Sequence, residues 1–176
     1  MSNFLRHYAK RALPFGGFLG VAAGVMLAAS GTALAQSGGY GHKITNDAAK
    51  CRNGAGPAVL VTINGIKSSD GILRVQSYRG IQQEWLEKGK WLNRIEVPAK
   101  QGSMTICMPV PVAGTYGIAV RHDTNGNGKT ELSKDGGAMS NNPSLNIFNL
   151  GRPSYKKTRF EVGQRVEKIS INMRYR

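Results

Sequence analysis

From Ala58 onward, apolar and polar residues alternate in short bursts separated by turn residues. Val59, Leu60, Val61 and Ile63 form a β-branched apolar run, and Asn64-Gly65 followed by Ser68-Ser69-Asp70-Gly71 is turn chemistry. Ile72 to Tyr78 resumes as a strand, with Leu73 and Val75 on one face and Arg74 and Gln76 on the other. The two runs read as a hairpin with a moderately long loop. Residues 81 to 88 are the one helical candidate, because Ile81 and Trp85 can share a face, as can Glu84 and Lys88, before Gly89.

Trp91 to Val97 and Met104 to Met108 alternate on either side of Lys100-Gln101-Gly102. After a turn at Gly114, Tyr116, Ile118 and Val120 share one face. Phe160 to Val162 adds a short strand, and Ile169, Ile171, Met173 and Tyr175 alternate strictly with Lys168, Ser170, Asn172, Arg174 and Arg176. Short strands with a period of two and Gly/Pro turns predict an all-β fold, an antiparallel β-sandwich of about seven strands with one short helix. Residues 129 to 159 show no strong period and read as a long loop.

The N-terminus is built differently. Arg6, Lys10 and Arg11 precede an apolar run from Ala12 to about Ala29, and Ala33-Leu34-Ala35 has the small-x-small pattern of a cleavage site. This is the layout of a signal peptide over residues 1–35, with an uncleaved anchor as the competing reading. No Cys stands at the cleavage point, which argues against a lipoprotein. Residues 36–56 are Gly-rich and aperiodic at their start, as expected of a flexible leader pinned only at Cys51, and residues 57–176 form the sandwich domain. The expected location is periplasmic or secreted, with no integral membrane segment once the leader is removed.

Cys51 and Cys107 are the two cysteines, and in an exported chain they are most simply one disulfide. Charge then narrows the partners. The chain has 24 Lys and Arg against 10 Asp and Glu. Such a balance suits an anionic glycan, a lipid headgroup or an acidic envelope protein, and export makes nucleic acid the least accessible partner. Arg152, Lys156, Lys157 and Arg159 cluster late in the chain and, with Lys168, Arg174 and Arg176, are the expected partner surface.

The stretch HDTNGNGKTE, residues 122 to 131, raises the question of a metal. Asp123, Asn125 and Asn127 at every second position, followed by Gly128, match the start of a calcium loop, with the Lys129 carbonyl, Glu131 and Asp135 as further oxygen donors. The closing position, which should be a bidentate Glu, is Lys134. Calcium is therefore the candidate cofactor for a weak site, and a hydrogen-bonded Asx turn is the competing reading. His122 lies on the parity of the core face and is expected to hydrogen-bond the adjoining loop. Trp85, Trp91, Tyr78 and Tyr155 suggest either a sugar platform or a cap on the sandwich. No nucleophile, base and orienting group assemble from the chain: the Ser154-x-x-Lys157 match stands alone, and there is no G-x-S-x-G or C-x-x-C. No catalytic residue is assigned, and the expectation is a protein that binds rather than converts.

GILRVQSY, EWLEKGKW, CMPVPVAGTYGIAVRHDTNGNGK and SNNP follow one another in this order. Over residues 58–176 the chain resembles the small exported bacterial family catalogued as domain of unknown function twenty-one forty-one, most specifically in P-x-x-G-T-Y-x-I-A-V-x-H-D-x-N-x-N-G-K. The resemblance implies a prealbumin-like or immunoglobulin-like sandwich and a cell-envelope location, and it brings no activity with it.

Overall fold

The computed structural model describes residues 39–131, 133–145 and 151–176. The signal peptide expected over residues 1–35 lies outside them. The described residues form β1 (His42–Lys43), β2 (Ala58–Ile66), β3 (Ile72–Arg79), β4 (Asn93–Pro98), β5 (Gly102–Pro109), β6 (Gly114–Asp123), β7 (Gly136–Met139), α1 (Tyr155–Thr158), β8 (Phe160–Val162) and β9 (Val166–Asn172). The larger sheet runs β1-β4-β3-β6-β7, with β8 also paired to β6, and the smaller runs β5-β2-β9. The sheets face each other as the expected all-β sandwich. Their inner faces supply the core: Val59, Val61, Ile63, Ile106, Met108 and Ile171 from one, Leu73, Val75, Ile95, Ile118 and Val120 from the other. Each set lies at alternate positions, so the period of two is what buries it.

Several expectations give way to pairing that alternation does not encode. β2 and β3 are not a hairpin, because β2 lies between β5 and β9 while β3 lies between β4 and β6. The chain crosses between sheets over residues 67–71. β1–β4 and β2–β9 are parallel, so both sheets are mixed rather than purely antiparallel. A strand buries the same alternate residues whichever way its neighbour runs.

The helix expected over residues 81 to 88 is a run of turns. Both Glu84 and Trp85 bond the Ile81 carbonyl, and Leu86 then enters the left-handed region at φ 57°. Trp85 instead folds onto the sheet, where a Cβ on Gly117 would stand 2.6 Å from the indole. A run of eight residues gains little from helix propagation against that burial. The short helix is α1, inside the stretch read as a loop, which also holds β7.

The described part of the leader is held at more points than Cys51. Gly41 donates to the Trp91 carbonyl at 2.8 Å, Ile44 donates to the Arg94 carbonyl at 2.9 Å, and Asn46 Oδ1 accepts from Cys107 N–H at 2.9 Å. A 3₁₀ turn at Ala48–Cys51 then brings Cys51 into its disulfide with Cys107.

The end of the chain also departs from simple alternation. β9 stops at Asn172, Met173 N–H bonds the Asn64 carbonyl at 2.8 Å, and Arg174 bridges Gly137 on β7. The last residues thus leave the small sheet and reach the edge of the large one.

Candidate functional site

The outward face of the large sheet carries Arg74 and Gln76 from β3, Ala119 and Arg121 from β6, and Gly137 and Met139 from β7. Arg74 and Arg121 are directly opposite each other across the β3–β6 ladder. Like charges in that position oppose folding. Glu96 offsets one of them, at 2.6 Å from Arg74 Nε, but the same carboxylate also lies 3.5 Å from Lys43 and 3.9 Å from Arg94. Burial, and after it the Arg74 charge, pulls the Arg121 guanidinium below its ordinary range.

Leu86 from the turns after β3, together with Gly151 and Arg152, borders this face, and Arg174, Tyr175 and Arg176 border it from the β7 side. Between them lies a cleft of about 530 Å³. Five arginines line it, Arg74, Arg121, Arg152, Arg174 and Arg176, against one acid, Asp135. Its apolar wall is Leu86, Ala119, Met139 and Leu145. Arg152 donates to the Leu86 carbonyl at 3.1 Å and to Glu87 at 3.2 Å, which fastens two walls together. The side chains of Arg174 and Arg176 have no partner among the described residues.

Of the seven expected partner residues, the cleft thus gathers Arg152, Arg174 and Arg176. Lys156 and Lys157 stand exposed on α1 outside it, and the Arg159 guanidinium lies over the Tyr155 ring at 5.7 Å. Lys168, opposite Leu60, projects from the outward side of the small sheet, on the other side of the sandwich. The expected single basic face is therefore divided. Arg74 and Arg121 were absent from that expectation, although their outward parity was visible; their convergence depended on β3 pairing with β6.

The polar loop after β6 borders the cleft. Asp123 Oδ2 accepts from Gly128 N–H at 2.8 Å and from Arg121 Nη2 at 3.0 Å, and Arg121 also donates to the Gly128 carbonyl and Thr130. Asn125 Oδ1 accepts from Asn127 N–H, and Asn127 Oδ1 accepts from Lys129 N–H. Both Asn side-chain amides donate to Glu131, and Lys134 Nζ stands 3.2 Å from the same carboxylate. These contacts, that of Asn125 foremost and then those of Lys134 and Asn127, hold Glu131 below the ordinary carboxylate range. Asp135 accepts from Glu131 N–H and Thr124 N–H. Most of the proposed calcium donors are thus engaged within the loop. Asp123 Oδ1 is buried and unpartnered. Among the described residues no three His, Cys, Asp or Glu side chains stand close enough to share a metal.

His122 points into the sandwich and is fully buried. Its Nε2 lies 2.7 Å from the Asp70 carbonyl, which can only accept, so that nitrogen carries the proton. Nδ1 then accepts from the Tyr175 hydroxyl at 2.8 Å, whose oxygen accepts from Lys67 N–H. His122 thus bonds the β2–β3 crossing and the C-terminal segment rather than the loop that follows it in the chain. Trp85 is buried against Tyr78, its indole N–H bonded to the Pro153 carbonyl, and Arg94 covers Trp91 at 4.1 Å. The tryptophans therefore serve as cover for the large sheet rather than as an open platform.

Residues 61–170 match the model of a family described as an uncharacterized protein conserved in bacteria (DUF2141). The chain belongs to DUF2141. No curated protein and no solved structure matches it. On this DUF2141 protein the matched segment begins within β2 and ends within β9. It includes Arg74, Arg121 and Arg152 and stops before Arg174 and Arg176, so two of the five cleft arginines lie beyond it. Among the described residues no helix is long and apolar enough to cross a membrane.

Proposed function

We propose that this protein is an exported binding or accessory module of the cell envelope, periplasmic or secreted, that holds an anionic partner and catalyses no reaction. The observation that carries the reading is the cleft, whose lining holds five arginines and one acid, with Arg174 and Arg176 carrying no side-chain ion pair among the described residues. Guanidinium forks match carboxylate and phosphate oxygens in pairs. An anion there would also relieve the opposition of Arg74 and Arg121. The leader-like N-terminus and the Cys51–Cys107 disulfide support export. His122 has both ring nitrogens committed inside the core, which supports binding rather than proton transfer.

The test is binding of the exported chain to an acidic polysaccharide and to anionic phospholipid vesicles at two salt concentrations. Raising ionic strength from about 0.1 M to about 1 M shortens the screening length from about 10 Å to about 3 Å. Binding through the cleft then weakens steeply, and Arg152→Ala with Arg174→Ala weakens it at low salt. Salt-independent binding, or no binding to either probe, would count against the reading.

A second reading, a calcium-stabilised module using Asp123, Asn125 and Asn127, is favoured by one observation. Asp123 Oδ1 is a buried oxygen without a donor, while Oδ2 is held by Gly128 N–H. An ion would have to draw Arg121 off the same carboxylate. Millimolar calcium would raise the melting temperature relative to chelator, and Asp123→Ala would abolish the shift. Identical melting in both conditions would leave the loop as a turn.

A further inference from the structure

We infer that the cleft takes a single-tailed amphiphilic anion, with a phosphate head on Arg174 and Arg176 and an apolar body along Leu86, Met139 and Leu145. This deepens the anionic-partner reading and rests on it.

The five arginines are not equivalent. Arg74 is paired with Glu96, Arg121 with Asp123, and Arg152 with Glu87. Arg174 and Arg176 line the same cleft, are exposed, and have no side-chain partner among the described residues. They stand two apart in sequence, on either side of Tyr175. The tyrosine ring is pressed against Gly136, where a Cβ would collide with it, and its hydroxyl is bonded to His122. The segment carrying the two free guanidiniums is thereby anchored at its middle, so both charges are presented from a fixed backbone. Two forks on one compact oxyanion is the arrangement that phosphate accepts best.

The wall beside them is apolar. Leu86, Met139 and Leu145 belong to one cluster with Trp85 and Tyr78, and Leu86 is held at φ 57°, a region that L side chains avoid. Strained backbone of this kind is retained where the surroundings enforce it, often at ligand sites. Here the Arg152 guanidinium donates to the Leu86 carbonyl. A purely ionic partner has no use for such a wall. An acyl or alkyl chain does, and the cleft volume of about 530 Å³ falls within the usual range for small-molecule sites.

The test is calorimetric titration of the exported, disulfide-bonded chain with monomeric octyl phosphate, inorganic phosphate and octyl glucoside. Each buried methylene strengthens binding by about fourfold, so a chain that buries four of them gives about a hundredfold or more over inorganic phosphate. Octyl glucoside, lacking the charge, should bind at least about tenfold more weakly than octyl phosphate. Arg174→Gln with Arg176→Gln should weaken octyl phosphate by about tenfold or more. Leu145→Ser should weaken octyl phosphate and leave inorganic phosphate unchanged; unaltered thermal unfolding confirms that both variants fold. Equal affinity for octyl and inorganic phosphate would overturn the inference and leave the anionic reading intact. Failure of every anion would overturn both. Vesicles containing phosphatidate form the last arm: binding to them without binding of monomeric octyl phosphate would mean a membrane surface is the partner, and the inference would fall.

Discussion

The Arg121 guanidinium lies 3.0 Å from the Asp123 carboxylate, so the polar loop after β6 receives a cation from its own strand. Both side chains are largely buried, at 15% and 4% exposure. Removing the carboxylate would strand Arg121 beside Arg74. Asp123→Ala should therefore cost about 2–3 kcal/mol in urea unfolding. Asn125→Ala, in the exposed part of the same loop, should stay within about 0.5 kcal/mol. Equal small losses for both would mean the pair contributes little.

Tyr175 connects the C-terminus to the core through His122. Tyr175→Phe keeps the ring against Gly136 but leaves the His122 Nδ1 acceptor without its donor. The expected loss is about 1–3 kcal/mol. Hydrogen exchange should quicken at Lys67 N–H, which also loses its acceptor, while protection in β2 and β5 persists.

Trp85 lies on Gly117 so closely that no larger residue fits there. Gly117→Ala should push the indole outward, break its bond to the Pro153 carbonyl and shift its fluorescence to longer wavelength. The cost of such overpacking is about 1–3 kcal/mol. An unchanged emission spectrum would show that the sheet yields instead of the ring.

The Cys51–Cys107 bridge closes a separation of 56 residues. The chain-entropy estimate for such a loop is about 4 kcal/mol as an upper value. Cys51→Ser with Cys107→Ser should lower stability by about 2–4 kcal/mol, and reductant should destabilise the native chain similarly. The double variant should be insensitive to reductant.

Burial alone would raise the Glu96 carboxyl, but the Arg74 hydrogen bond and the charges of Arg74, Lys43 and Arg94 outweigh it and hold it below its ordinary value. A depressed folded value means that the stabilisation is present above the unfolded-chain value, about 4.3, and is lost as pH falls through the folded value. Side-chain carboxyl NMR should show this low titration, and Arg74→Gln should raise it. A Glu96 that titrates normally in both proteins would remove this contact from the acid response.

Individual strands were legible because burial at every second position leaves a local mark. Leu73 and Val75, Ile118 and Val120, and Ile169 and Ile171 all face the core as their alternation indicated. The run at 81 to 88 misled because its spacing suits a helix, whereas Trp85 gains more by covering Gly117.

Strand alternation, one cysteine pair, an excess of basic residues and a polar loop at Asp123 are properties of the chain alone, since each depends on residues close in sequence or on composition. Which strands became neighbours was decided only in three dimensions. β2 and β3 went to different sheets, Arg74 met Arg121 across two strands, and the crossing after Asn172 carried Arg174 and Arg176 to the large sheet while Lys168 stayed on the small one. The reason is that alternation specifies which face of a strand is buried but not against what, and the cleft exists only where three distant segments close over one sheet.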